Sequence, residues 1–410
     1  MSGDAPWLAV VGIGEDGLDG LSPPARRLVD GAEVLVGGAR HLAMVPEAGD
    51  ARERLTWPTP IEGIVEVLRA RRGRPACVLA SGDPMEFGVG TMLSRWFPAE
   101  ERVIVPAVSS AALACARLGW PREETTVVST LGRPLAAIIP HLQPGARLLV
   151  LSTDAATPSH LAALLRERGC GPSRLTLLER LGGPEERIRS VTAADWSDPE
   201  VEALNIVAVA CRPKPAAPLY PTVPGLPDSA FHHDGKLTKR AVRAATLAAL
   251  APTPGAHLWD VGAGSGAVGI EWMRAARGAT ADAIEPIAER RAMIDANAAA
   301  LGTPGLAIVA GAAPGALEGL APPDAIFIGG GITTDGLIER CWAALRPGGR
   351  LVANVVTLEG EARVMEAAGR LGGALERIAV SRAVPVGEYH GFKPQMSVTQ
   401  WAVTKTVDLP

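Results

Sequence analysis

His257 to Trp272 reads HLWDVGAGSGAVGIEW, and this stretch decides the architecture of the second half of the chain. Apolar residues suited to a buried strand run into Asp260. The turn Gly262-Ala263-Gly264-Ser265-Gly266 follows, then a helical run. Such glycines allow a tight turn and let a ligand lie against bare backbone beside a helix N-terminus. Downstream, DAIEP places Glu285 at the carboxyl end of the next strand, where a carboxylate can accept two hydrogen bonds from ribose hydroxyls. A glycine turn followed by an acid suits either NAD or S-adenosylmethionine. Here the third glycine falls closer than the dinucleotide fingerprint G-x-G-x-x-G requires, which favours the methyl donor.

Outward from that motif, short apolar runs alternate with helical segments. The second half carries predicted strands at 257–261, 281–285, 306–309, 325–328 and 350–355, with strand-like runs at 375–380 and 397–403. The first half carries them at 8–11, 34–36, 77–80, 103–105, 147–151, 175–178 and 203–210. Helix starts are signalled by Ser22-Pro23-Pro24 and Thr157-Pro158, each read as a cap followed by proline at the first helical position. This alternation predicts α/β domains with mainly parallel, doubly wound sheets. A chain of 410 residues exceeds one ordinary core. The boundary is drawn at RPKPAAPLYPTVP, residues 212–224, whose five prolines make a semi-rigid connector. The expected domains are therefore 7–211 and 225–410.

Bulk properties restrict the function classes. A net charge of -4 gives no global attraction to nucleic acid, so an anionic ligand needs a local basic cluster. The five cysteines are scattered, without C-x-x-C spacing, and fit a reducing, cytoplasmic setting better than a disulfide framework. No charged leader precedes an apolar run at the N-terminus, and no apolar run is long enough to predict a membrane span. His232-His233-Asp234 suggests a metal at first sight. Adjacent histidines point apart and no third ligand is evident, so no metal site is expected.

The second half also contains PGLPDSAF, KLTKRAVRA, IFIGGG and NVVTLE, together with the turn Leu345-Arg346-Pro347-Gly348-Gly349 ahead of a strand. With WDVGAGSGAVGIE these resemble the decarboxylating precorrin methyltransferase domain of cobalamin biosynthesis, a class I, Rossmann-like methyltransferase, over residues 225–406. The resemblance implies S-adenosylmethionine contacts at Thr238, Gly262, Ala263, Gly264, Ser265, Gly266 and Glu285, with Ala312 and Ala313 flanking the adenine. Related sequences commonly carry Asp where Ala312 stands, so an adenine contact through that carboxylate is absent here.

The first half holds a literal G-x-G-x-x-G at Gly12, Gly14 and Gly17, which by itself is a weak dinucleotide signal. VVGIGEDGL, Ser81-Gly82-Asp83-Pro84 and VPAVSSAALACARLG together resemble the tetrapyrrole (corrin and porphyrin) methylases over residues 7–211. That resemblance implies two small α/β lobes with the methyl donor between them. Gly82, Asp83 and Pro84 would shape the donor pocket, Ser109 and Ser110 would lie opposite, and Gly12 and Gly14 would line the tetrapyrrole cleft. Asp83 has a plainer role open to it, as a turn residue bonded to its own backbone.

The two families in this order imply a bifunctional precorrin C-methyltransferase. The first domain would methylate carbon 5; the second would methylate carbon 15 and decarboxylate an acetate side chain, giving a precorrin-8 product. A homo-oligomer is implied by the same resemblance. Catalytic candidates for proton delivery are Asn354 and Glu359, near Thr357 after the fifth strand, and His390 in a late polar loop. Glu359 equally suits the first turn of a helix. Lys236, Lys239, Arg240, Arg243, Arg382 and Lys393 are candidates for the substrate's carboxylates. Two other functions stay open at this point: an NAD(P)-dependent tetrapyrrole oxidoreductase and a non-catalytic tetrapyrrole carrier.

Overall fold

A computed structural model describes residues 6–47, 51–197 and 200–406. The last four residues of the expected second domain lie outside this range. Contacts divide the chain into two units. One runs up to Arg133 and resumes over Gln143–Pro218; the other comprises Pro134–Leu142 and everything from Leu219. The main division falls inside the proline-rich stretch. The assignment of Pro134–Leu142 to the second unit has no counterpart in the sequence reading.

The first unit contains two sheets. Strands β1 (Leu8–Ile13), β2 (Val34–Gly37), β3 (Glu53–Thr56), β4 (Ala76–Ser81) and β5 (Arg102–Val105) form the first, in the order β3-β2-β4-β1-β5, all parallel. β1 shows why. Leu8 and Val10 pack into one cluster while Ala9, Val11 and Ile13 pack into the other, so the strand is buried on both faces.

The second sheet uses β6 (Thr125–Ser129), β7 (Arg147–Leu151), β8 (Arg174–Glu179), β9 (Arg187–Thr192) and β10 (Asn205–Ala210), ordered β6-β7-β10-β8-β9. Only β6 and β7 are parallel; β10 runs antiparallel to both neighbours, and β9 is antiparallel to β8. The expectation of mainly parallel sheets fails in this lobe. The reason is local: β8 and β9 are joined by a short turn rather than a crossover helix, which makes them a hairpin.

Helix starts also differ. Ser22 caps Pro23–Asp30 by accepting from Ala25 N, as read from the sequence. Thr157 instead is the first residue of its helix. Asp154 Oδ1 accepts the amides of Ala156 and Thr157 and so does the capping that the sequence reading gave to Thr157.

The second unit is built on β11 (His257–Val261), β12 (Thr280–Glu285), β13 (Ala307–Ala310), β14 (Ala325–Ile328), β15 (Arg350–Val355) and β16 (Ala374–Ile378). A separate hairpin, β17 (Ser381–Val386) and β18 (Tyr389–Pro394), precedes β19 (Val398–Thr404). The main sheet is ordered β13-β12-β11-β14-β15-β19-β16. β11 to β15 are parallel, and β19 enters antiparallel between β15 and β16. The order reverses at β11, with β12 on one side and β14 on the other. Ligands in open α/β sheets sit at the carboxyl ends of the strands flanking such a switch.

Candidate functional site

In the second unit a cavity of about 400 Å³ opens at the carboxyl ends of β11, β14 and β15. Gly262, Ala263, Gly264 and Ser265 form its floor, Thr238, Lys236 and Lys239 one wall, and Asn354, Val356 and Met396 another. The backbone at Gly262 has φ +71°, and a Cβ there would stand 2.8 Å from the Gly330 amide nitrogen. Glycine is required by both conformation and close approach. Gly266 lies just beneath the lining, as the residue before helix Ala267–Ala275.

Glu285 ends β12 and is almost fully buried. Its Oε2 accepts Gly264 N at 2.9 Å and its Oε1 accepts Ile287 N at 3.1 Å, so it locks the glycine turn and keeps spare lone pairs. Beneath it, Asp260 is fully buried, with Oδ2 accepting Gly269 N at 2.9 Å. Burial pushes the Asp260 carboxyl up to about 7, opposed by that hydrogen bond and helped by the charge of Glu285. Ser265 lines the cavity; its hydroxyl is buried and has no hydrogen-bond partner among the described residues. A bare glycine turn, an adjacent carboxylate and an unused buried hydroxyl fit a nucleoside-based methyl donor.

The other expected residues are placed unevenly. Thr238 and Asn354 line the cavity, whereas Glu285, Glu359, His390, Ala312 and Ala313 do not. Glu359 is exposed in the first turn of helix Leu358–Leu371, which Thr357 caps by accepting Gly360 N. His390 is exposed on the β17–β18 hairpin. Ala312 and Ala313 follow β13, beside Glu285 at the sheet edge.

The basic candidates divide as well. Lys236 and Lys239 face the cavity, but Arg243 is wholly buried and is unable to meet a substrate. Its guanidinium pairs with Glu271, donates to the carbonyls of Leu226 and Thr238, and covers the Phe231 ring at 4.9 Å. The expectation of a carboxylate contact at Arg243 is therefore overturned: a helix face that reads as charged and wet is turned inward to hold residues 225–238. Arg240, Arg382 and Lys393 do not line the cavity.

Two residues escaped the sequence reading here. The Thr246 hydroxyl donates to Val242 O at 2.8 Å, so its oxygen accepts from Asn354 Nδ2 at 2.7 Å and Gln400 Nε2 at 3.2 Å. Gln400 Nε2 also donates to Asn354 Oδ1 at 2.9 Å. The Asn354 amide is thereby held in one orientation at the cavity wall. The available signal was a lone glutamine in the apolar run of β19.

In the first unit a cavity of about 410 Å³ is lined from both sheets. Gly14, Gly82 and Ser110 line it; Gly12, Asp83, Pro84 and Ser109 do not. A Cβ on Gly12 would fall 1.9 Å from Gly82 O, so β1 must be bare where the Gly82 turn crosses it. Gly82 N donates to Ile13 O and Gly82 O accepts Ala107 N, both at 3.0 Å, which ties the turn to two neighbouring segments. Asp83 Oδ1 accepts Met85 N at 2.8 Å, the turn-forming bond that its plainer reading describes. Ser109 caps helix Ser110–Leu118 by accepting Ala112 N.

Glu15, Arg40, His41 and Ser81 also converge on this cavity; Glu15 and Ser81 stand within motifs quoted from the sequence, but none of the four was given a role there. Arg40 and His41 follow β2 and Ser81 ends β4, so all three stand at the sheet's carboxyl edge. Apolar Leu79, Phe87, Leu131 and Ile206 share the lining with Ser152 and Asn205, a mixture that suits a nucleoside beside a flat ring.

Comparison with known proteins gives the family of each half of the chain. The tetrapyrrole (corrin/porphyrin) methylase family matches residues 8–196, and the precorrin methyltransferase domain family matches residues 229–405. A precorrin-6Y C(5,15)-methyltransferase (decarboxylating) from Sinorhizobium sp is 50% identical over 98% of this chain and 97% of its own length. The chain belongs to the decarboxylating precorrin-6Y C5,15-methyltransferases. Shorter relatives match each half separately. A cobalt-precorrin-7 C(5)-methyltransferase from Salmonella typhimurium is 34% identical over 49% of this chain and 98% of its own length. A cobalt-precorrin-6B C(15)-methyltransferase (decarboxylating) from the same organism is 33% identical over 40% of this chain and 85% of its own length. The fold is accordingly a tetrapyrrole methylase unit followed by a Rossmann-like methyltransferase unit.

Proposed function

We propose that the second cavity carries out carbon 15 methylation and decarboxylation, and the first carbon 5 methylation, on a precorrin-6Y substrate of cobalamin biosynthesis. The enzyme is an S-adenosylmethionine-dependent C-methyltransferase with decarboxylase activity. The observation that carries the partition is that two separate glycine-floored cavities lie one in each unit, and each unit matches a shorter relative named for one carbon.

The donor supplies an activated methyl group, so the chain's residues bind, orient and exclude water. In the second unit, Gly262 to Ser265 and Glu285 hold the nucleoside, and Thr238 closes over it. Lys236 and Lys239 receive substrate carboxylates, and Asn354, fixed by Thr246 and Gln400, presents a donor and an acceptor to the reacting face. In the first unit, Gly82 and Ser110 hold the donor and Gly14 faces the macrocycle. Asp83, Pro84 and Ser109 shape this site from behind. The five cysteines are buried and unbridged, which supports a cytoplasmic setting. Exposed Tyr389 and Phe392 on the hairpin are consistent with a homo-oligomer.

Mass spectrometry of the product from full-length protein, precorrin-6Y and S-adenosylmethionine tests this reading. Two added methyl groups and one lost carbon dioxide are expected. A product that keeps its carboxylate or gains a single methyl contradicts it.

A further inference from the structure

Arginine has only donors, and Arg40 fixes the chemistry of the first cavity through that fact. Its Nη1 pairs with Glu15, while its Nη2 lies 2.8 Å from His41 Nε2 and 2.9 Å from Ser81 Oγ. His41 Nε2 must therefore carry the lone pair, which places the ring proton on Nδ1. Ser81 Oγ accepts from Arg40 and stands 3.0 Å from the same Nε2, so its own proton shares that one lone pair with the Arg40 N–H. His41 is only 8% exposed, and its Nδ1 has no hydrogen-bond partner among the described residues. Ser81 is exposed at the cavity, one residue before the Gly82 turn.

We propose that Ser81 and His41 form the proton-accepting pair for methylation in the first cavity, with Ser81 touching the substrate carbon's hydrogen and His41 acting through it. The proposal rests on the assignment of carbon 5 to this unit. When carbon 5 receives the methyl group, its π pair forms the new C–C bond, and the pair of the broken C–S bond leaves with the sulfur. The macrocycle is then one unit more positive, and carbon 5 still bears its hydrogen. Breaking that C–H bond returns the pair to the ring. The proton passes to Ser81 Oγ as the Ser81 proton passes to His41 Nε2. Arg40 then releases Nε2 and stays on Glu15 and Ser81, and the Glu15 carboxylate offsets the new imidazolium. The other ionised groups lining this cavity are Glu86 and Arg180.

Burial, and then the charge of Arg40, hold His41 down at about 4, so the ring is neutral and Nε2 carries no proton throughout neutral pH. A weak base suffices here, because a cationic conjugated ring gives up this hydrogen readily.

The test uses full-length His41→Gln and Ser81→Ala, since glutamine still accepts from Arg40 but takes no proton. Carbon 15 methylation in the second unit reports that each variant is folded. Carbon 5 methylation should fall about 100-fold or more. A substrate deuterated at its bridging carbons should show a primary isotope effect at carbon 5 in His41→Gln that the unaltered enzyme lacks. Without donor or substrate, ¹⁵N NMR should find the His41 proton on Nδ1 from pH 5 to 8. Carbon 5 rates within threefold of the unaltered enzyme overturn the proposal. So does a loss without an isotope effect, or a proton on Nε2. Loss of carbon 15 methylation with carbon 5 intact would instead overturn the assignment of carbons to units.

Discussion

The two cavities are nearly equal in volume, about 410 and 400 Å³, yet they are made from different backbone. The second sits on one sheet edge: a single strand-turn-helix supplies the floor, and the acid on the next strand pins it. The first is assembled from both sheets of its unit, and its floor depends on Gly82 crossing bare backbone at Gly12. On the proposed function one chemistry would use two scaffolds, each with a glycine packed too closely against neighbouring backbone to bear a Cβ, Gly12 against Gly82 and Gly262 against Gly330. The physical requirement is shared, and the fold is not.

The sharpest way to break this comparison is to add a methyl group to one floor at a time. Gly262→Ala meets Gly330 and an unfavourable φ, and should lower carbon 15 methylation by 100-fold or more while carbon 5 methylation persists. Gly12→Ala should do the reverse, because its Cβ would overlap Gly82 O. Product analysis by mass spectrometry reads both; simultaneous loss of both methylations in either variant would show that the units do not act separately.

Arg243→Ala comes next. It leaves the buried Glu271 without its guanidinium partner, still held by the amides of Gly225 and Leu226, which costs about 3–5 kcal/mol. Thermal unfolding should show a lowered transition for the second unit and an unchanged one for the first. Wild-type stability with a raised substrate constant would restore the surface role that the structure denies it.

Glu285→Gln is smaller. Losing a charged acceptor is worth about 1.5–3 kcal/mol, or roughly 10- to 150-fold in donor affinity at one of two sites. Calorimetry with S-adenosylhomocysteine should show one class weakened and the other untouched. Smaller again is the double change Lys236→Ala and Lys239→Ala. The substrate constant for carbon 15 chemistry should rise severalfold, with less effect at high salt, and donor affinity should hold.

Asp260 adds a pH signature confined to the second unit. Its folded value of about 7 stands above the usual carboxylate range, so the folded state binds its proton more tightly than the unfolded state. The stabilisation is fully present below about pH 4, is lost as pH rises toward 7, and is flat beyond. Asp260→Asn should flatten that slope in denaturant titrations across this range.

Much of the fold was legible because buried strands are continuous apolar runs, as in β1, β4, β7 and β14. The strands that were missed lack such runs. β3 is Glu-Arg-Leu-Thr and β9 is Arg-Ile-Arg-Ser-Val-Thr, both at sheet edges where charged side chains face solvent. The hairpin of β17 and β18 is exposed along most of its length and carries no apolar alternation to announce it.

In the candidate site, glycine turns were readable because backbone geometry dictates glycine locally. Side chains that meet through the fold were not. Arg40 and His41 are neighbours, but Ser81 is distant in sequence and joins them only once β2 and β4 pair. Arg243 misled for the complementary reason: a helical pattern does not reveal which charged face is turned inward.

The central claim is that each unit holds its own methyl-donor site. Isothermal titration of the full-length protein with S-adenosylhomocysteine tests it most directly, with the Gly12→Ala and Gly262→Ala variants beside it. The account predicts two donor molecules per chain, falling to one in each variant. A single molecule per chain in the unaltered protein, abolished by either substitution, would contradict it.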